Sequence, residues 1–272
     1  MRALPLIFYA AATTAYGAHF AWRDARLGRL ATGLLAAGLL AHTFLIGMQT
    51  VQAGHAPLVG TTAALSAFVW LLGLAYLYVE LTSDERSMGL FVSVLLVALG
   101  IIPAFDADVS QRPAVLRSPL FTIHVMAMLF AYASFALASV LGVTYVLLFK
   151  EIKAKHVGVF YTRLPSLAVL DVMNGRAVAI GWIFLTVGLV VGGVWASQIE
   201  SSADPRVQHM SVADPKILVA IVSWLIYSFA LYARRAIGWT GRRAALLSTA
   251  GFVIVLLNFI PVGYFLTRSH NF

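Results

Sequence analysis

Residues 174–232 read NGRAVAIGWIFLTVGLVVGGVW to Trp195, then ASQIESSADPRVQHMSV to Val212, then ADPKILVAIVSWLIYSFALY to Tyr232. Two apolar stretches, each near the roughly 20 residues that a helix needs to cross a bilayer, enclose a polar, acid-containing segment. Trp195 stands at its entrance and Asp214-Pro215-Lys216 at its exit. This alternation of long apolar runs and short polar connections decides the fold class.

Working outward, the same pattern fills the chain. Apolar spans fall at about 4–22, 30–49, 59–80, 88–105, 119–149, 176–197, 215–233 and 244–266. With 61% hydrophobic and 11% charged residues over 272 positions, there is too little polar surface to cover a water-soluble fold. The expectation is an all-α integral membrane protein, a single polytopic domain of about eight transmembrane helices. The first span has only Arg2 before it and no small-residue cleavage site ahead of Arg23, Arg26 and Arg29, so it reads as a retained helix.

Basic residues orient the bundle. One set of alternate loops holds Arg23, Arg26, Arg29, Arg86, Lys150, Lys153, Lys155, Arg163, Arg176, Arg234, Arg235, Arg242 and Arg243. The other holds Arg2, Arg112, Arg117, Arg206, Lys216 and Arg268. The richer side is expected to face the cytoplasm, with both termini and the loop at 197–214 on the outer, periplasmic side of a bacterial inner membrane. The net charge of +8 is accounted for by these loops, so nucleic acid is not an expected partner, whereas membrane lipid is. Between the fifth and sixth spans, Leu164, Leu167, Leu170 and Met173 recur every three residues, with Arg163 just before them and Asp171 among them. That spacing predicts a short amphipathic helix over about 163–174, lying on the inner membrane surface.

The chain has no cysteine, which excludes thiolate metal sites and thiol catalysis. No pair of histidines is spaced for a metal on one helix face. Glu80 is the nearest approach to an acid within a span, and its position at the inner end of the third helix is expected to let it reach water. Chemistry is left to the histidines. His42, His55, His124, His209 and His270 fall toward the outer side, while His19 and His156 fall toward the inner.

His124 lies about five residues into the fifth helix, roughly 7 Å below its start. His270 follows Arg268 on a short tail. Two neutral imidazoles from separate elements suit bis-histidine ligation of a haem iron. Trp195, Phe121 and Phe265 are candidate walls for such a group, and Arg112, Arg117, Arg206 and Lys216 are candidate propionate partners. The competing reading for any one of these histidines is a hydrogen bond to a neighbouring helix. Gly181, Gly188, Gly192 and Gly193 read as close helix packing and not as ligand contacts.

Several stretches resemble one family in order. AGHAPLVGTTAALSAFVWLLGLAYLYVE is similar to its GHxPL segment and the tryptophan-containing helix that follows. PLFTIHVMAMLFAYASFALASVLGVTYVL resembles the helix that opens with its first external haem histidine. RLPSLAVLDVMNGRAVAIGWIFLTVGLVVGGVWA and the closing GWTGRRAALLSTAGFVIVLLNF with RSHNF complete the resemblance, which is to the CcsA (ResC)/HemX branch of the cytochrome c assembly proteins. It implies haem b held by His124 and His270 as axial ligands, with Trp195 and Asp214 as further candidate contacts; His42, as a substitute for a family histidine missing here, and His209, as a replacement contact or a solvated residue in the altered loop, are candidates from this sequence's own departures. It also implies a haem-handling role at the outer membrane face, delivering haem to apocytochrome c beside a ResB/CcsB-like membrane subunit. Such a protein is a haem transporter or chaperone, or a synthase subunit, before it is an independent enzyme.

The sequence also departs from the family. The usual loop is tryptophan-rich, of the form W-G-x-Y-W-x-W-D-P-K-E, whereas here only Trp195 and Asp214-Pro215-Lys216 remain and Ile217 stands in place of the glutamate. Tyr232 occupies the position of a family histidine in the next helix. The alternative reading is therefore a non-catalytic scaffold or regulator of tetrapyrrole metabolism, built on the inherited bundle without a working haem platform.

Overall fold

The structure, a computed structural model, describes residues 2–58, 60–105, 118–155, 158–199 and 215–257. Every described element is a helix: α1 Leu4–Trp22, α2 Ala25–Ala53, α3 Thr61–Ser83, α4 Gly89–Phe105, α5 Pro119–Lys153, α6 Val159–Arg163, α7 Leu167–Ile199, α8 Pro215–Tyr232 and α9 Arg242–Leu257. A π-helical turn, Ala233–Ile237, extends α8. Among the described residues, five helices are long and apolar enough to cross a membrane: α2, α3, α5, α7, and α8 with its π-turn. α4 is a shorter apolar helix of 17 residues. The chain is a multi-pass helical membrane protein.

Local chemistry sets the helix ends. Asp24 caps α2 by accepting a hydrogen bond from the Arg26 amide at 2.7 Å, and Ser118 caps α5, with Pro119 opening its first turn. Gly54 ends α2 in the left-handed conformation at φ 72°, which costs glycine little. Pro165 has no amide hydrogen to give, and the chain breaks between α6 and α7 at Leu164–Ser166.

That break corrects the expected surface helix over 163–174. Residues 167–174 form the first two turns of α7, and Leu164, Leu170 and Met173 are buried in the protein core. The every-third-residue stripe is real, but it faces protein and not the membrane surface. Asp171 on the same turns accepts two hydrogen bonds from the Arg234 guanidinium, at 2.9 and 2.6 Å, and one from the Gly241 amide at 2.8 Å. This clamp holds the π-turn and the start of α9 against α7.

α5 is the central element. Of the five long helices its apolar window is the most enclosed, and it packs against α3, α7 and α9. Its run of Ala131, Ala133, Ser134, Ala136 and Ala138 lets neighbouring backbones approach, as transmembrane helix contacts require. On the α7 side, Gly181 leaves room for Phe135, whose ring stacks on Tyr227 of α8 with centroids 3.6 Å apart. α1 to α4 form one half of the bundle and α5 with α7 to α9 the other, joined chiefly by α3 against α5 and α7. Large apolar side chains such as Leu40, Phe44 and Val190 point outward, as a bilayer solvent permits.

Polar side chains inside this bundle pair with one another, since lipid offers them nothing. Asn174 donates to the Ala138 carbonyl and to Ser248 Oγ, joining α7, α5 and α9. Glu80 corrects a second expectation. Its carboxyl does not reach water; the residue is fully buried and bonded to Tyr16 and Thr32. α1 and α2 close over it, so the end of α3 is an interior position.

Candidate functional site at the Trp195 end of the bundle

α5 and α7 run side by side and build a niche at the end where Ser118 caps α5. Phe121 and His124 are three residues apart and share a face of α5. Gly188, Gly192 and Trp195 share a face of α7 in the same way. His124 Nδ1 lies 2.8 Å from the carbonyl oxygen of Gly188. A carbonyl can only accept, so Nδ1 carries the hydrogen, and in the neutral ring Nε2 holds the lone pair.

The two glycines make this contact possible. A Cβ on Gly192 would stand 2.5 Å from His124 Nδ1, and one on Gly188 would stand 2.7 Å from the Met128 sulfur. Gly193, one residue on, faces open space. The spacing of four read from the sequence as helix packing is indeed packing, with the imidazole seated in the groove it creates. Sequence reasoning missed that role, because nothing in a glycine pair says which side chain of the facing helix will occupy it.

Toward the helix end, Phe121 and Trp195 meet with ring centroids 5.0 Å apart and planes tilted by 60°. Both are buried. The Trp195 indole N–H is also buried and finds no hydrogen-bond acceptor among the described residues. His124 itself is partly buried. The niche therefore offers a tautomer-fixed imidazole, an aromatic pair beside it and one unsatisfied donor.

The other sequence candidates are distributed differently. His42 belongs to the other half of the bundle, where Nδ1 contacts the Tyr9 hydroxyl at 3.1 Å and Nε2 contacts Ser66 Oγ at 2.9 Å. Both ring nitrogens are engaged inside the protein, and the structure does not bring His42 to His124. A small cleft lined by Arg2, Tyr9, His42, Ser66 and Pro103 adjoins it. Tyr232 is 60% exposed and contributes nothing to the interior. Lys216 lies in the first turn of α8. His270, His209, Asp214, Phe265, Arg112, Arg117, Arg206 and His156 lie outside the described residues, as does the whole of segment 200–214.

The family model described as cytochrome C assembly protein matches residues 4–270. The chain belongs to the cytochrome c assembly protein family. Within that family it is similar to the cytochrome c biogenesis protein CcsA of Guillardia theta, 26% identical over 250 residues covering 85% of this chain and 81% of that one. The CcsA of Chlorella vulgaris is 26% identical over 276 residues, covering 89% and 85%. That of Synechococcus elongatus is 25% identical over 292 residues, covering 90% and 88%. The match spans both halves of the bundle, so the family assignment includes α1 to α4 as well as the α5–α7 niche.

The donor chemistry of His124 suits a haem iron. An iron-ligating histidine ordinarily donates its other ring N–H to a carbonyl or carboxylate, which fixes the ring and raises its basicity. His124 already does so through Gly188. Phe121 and Trp195, buried against each other, give its surroundings the aromatic, apolar character that a haem site has.

Proposed function

We propose that this protein handles haem during cytochrome c maturation, holding it at the Trp195 end of the bundle and presenting it for attachment to apocytochrome c. His124 supplies one axial nitrogen, Nε2, and His270 the other. The observation that carries this reading is the 2.8 Å contact from His124 Nδ1 to the Gly188 carbonyl, which prepares Nε2 as a ligand. Bound haem b would supply the vinyl groups that become thioether links and an iron that must stay reduced. The chain's own part is to bind and orient the macrocycle, which accelerates attachment by proximity without needing an acid or base.

In this reading the charge bias places the niche on the outer face of a bacterial inner membrane, and a ResB/CcsB-like membrane subunit is the partner. Trp195 walls the haem, with Asp214 and His209 contributing from the segment that follows it. His42 keeps a place among the candidates as a ligand for a second, intramembrane haem. Its engaged nitrogens favour a structural role.

A second reading rests on one sequence feature. The segment between Trp195 and Asp214 contains no aromatic residue. A scaffold or regulator of tetrapyrrole metabolism, HemX-like and without haem of its own, would tolerate that loss. Purification from haem-replete cells and a reduced-minus-oxidised visible spectrum distinguish the two. A low-spin bis-histidine spectrum supports haem handling, and protein free of haem overturns it in favour of the scaffold.

A further inference from the structure

Far from His124, in the α1–α3 half of the bundle, Glu80 sits among three hydroxyl groups. The Tyr16 hydroxyl donates to Oε2 at 2.6 Å. Thr32 Oγ1 contacts Oε1, and the same Oγ1 lies 3.0 Å from the Gly28 carbonyl oxygen. Tyr76 is fully buried, its ring edge-on to Tyr16, and its hydroxyl has no hydrogen-bond partner among the described residues, although it lies within electrostatic reach of Glu80.

The hydroxyl of Thr32 allows either protonation state of Glu80. It has one hydrogen and two oxygens within reach, Gly28 O and Glu80 Oε1. When Thr32 donates to Gly28, its contact with Glu80 is a hydrogen bond only if the carboxyl is the donor, which is the neutral carboxylic acid. The site is also equipped for the ionised form. Thr32 can turn its hydrogen from Gly28 to Oε1, Tyr16 is already a donor to Oε2, and the idle Tyr76 hydroxyl supplies a third.

We propose that Glu80 is a reversible proton-binding site, storing a proton as a carboxylic acid bonded to Thr32 and releasing it to leave a carboxylate held by Tyr16, Thr32 and Tyr76. The bond broken is Oε1–H. The proton leaves to water as hydronium at the end of the bundle where α3 terminates. Glu80 is three residues from the end of α3, a distance of about 4.5 Å. Gly28, whose carbonyl Thr32 contacts, packs against two basic side chains, since a Cβ there would meet His19 at 3.1 Å and the Arg86 side chain at 3.0 Å. The charged groups around the site are Arg86, close enough to act on Glu80 through its charge and paired with exposed Asp84 at 3.1 Å, and Glu85, which acts on Tyr76 in the same way. His19 Nδ1 donates to the Asp24 carbonyl at 2.8 Å. Gly89 keeps Tyr16 in place, because a Cβ there would overlap its ring at 2.3 Å. This inference stands independently of haem binding.

The test is infrared spectroscopy of the full-length protein in lipid nanodiscs, titrated with pH and repeated in D₂O. The wild type is expected to show the carbonyl stretch of an un-ionised carboxylic acid at neutral pH. That band should move to lower frequency in D₂O and give way to carboxylate bands as pH rises. Glu80→Gln should lack it, and Glu85→Gln should keep it. Thr32→Val retains the volume and the carboxyl but removes the hydrogen-bond partner, so it should keep the band at a changed frequency and gives the reading if Glu80→Gln does not fold. Three results each overturn the proposal: no acid band at neutral pH, a band that survives Glu80→Gln, or a band that neither exchanges in D₂O nor titrates.

Discussion

His124 Nδ1 donates to the backbone carbonyl of Gly188 across 2.8 Å, and Gly192, one turn further along α7, leaves the imidazole the space to do it. The functional side chain and the backbone that fixes its tautomer come from different helices. Any change that separates α5 from α7 at this level should therefore disturb ligation before it unfolds the protein.

Gly192→Ala is the direct probe of that seat. Its methyl would fall 2.5 Å from Nδ1, so the ring must tilt away from Gly188. A loss of about 1–3 kcal/mol is expected from overpacking, together with a several-fold fall in bound haem. Gly193→Ala meets nothing within 4 Å and should stay within about 0.5 kcal/mol of wild type with its spectrum unchanged. Thermal unfolding in detergent and the visible spectrum read the two effects on the same samples.

Sequence patterning made the helical membrane architecture legible, and with it the placing of His124 and Trp195 toward one end of the bundle. Burial partners were not legible. The stripe of Leu164, Leu170 and Met173 looked like a surface helix because a periodicity does not reveal whether lipid or protein covers the apolar face. Glu80 looked able to reach water because nothing in α3 alone says that Tyr16 and Thr32 close over it from α1 and α2. Gly188 and Gly192 announced a close approach, but their partner depends on the register of α5 against α7.

Gly181→Ala separates packing from ligation. The added methyl would lie 2.4 Å from the Phe135 ring, which is held in place by its stack on Tyr227. Destabilisation of about 1–3 kcal/mol is expected, with the His124 ligation signature intact in the folded fraction. Equal loss of stability and of the signature per folded molecule would mean that the niche depends on the whole α5–α7 contact.

The Asp171–Arg234 pair is partly buried, with side chains 14% and 23% exposed. Breaking a fully buried pair costs about 3–5 kcal/mol, and partial exposure reduces the expectation to about 1–3 kcal/mol for Arg234→Ala. Asp171→Ala also strips a partner from the Gly241 amide. The double variant should be less destabilised than the sum of the singles, which a double-mutant cycle in detergent measures.

His42→Ala tests whether the Tyr9–His42–Ser66 chain is structural. It removes the partner of two hydroxyl groups and is expected to cost about 1–3 kcal/mol while leaving the haem spectrum of the folded protein unchanged. Disappearance of a haem signal in this variant would make His42 a ligand.

The most direct measurement of the central claim is the reduced-minus-oxidised spectrum of purified wild type and His124→Gly, each recorded with and without added imidazole. The wild type should show low-spin bis-histidine haem. His124→Gly should lose that signature or become high-spin, and imidazole should restore it by entering the space the side chain vacated. A His124→Gly spectrum identical to wild type without imidazole would contradict the assignment of His124 as an axial ligand.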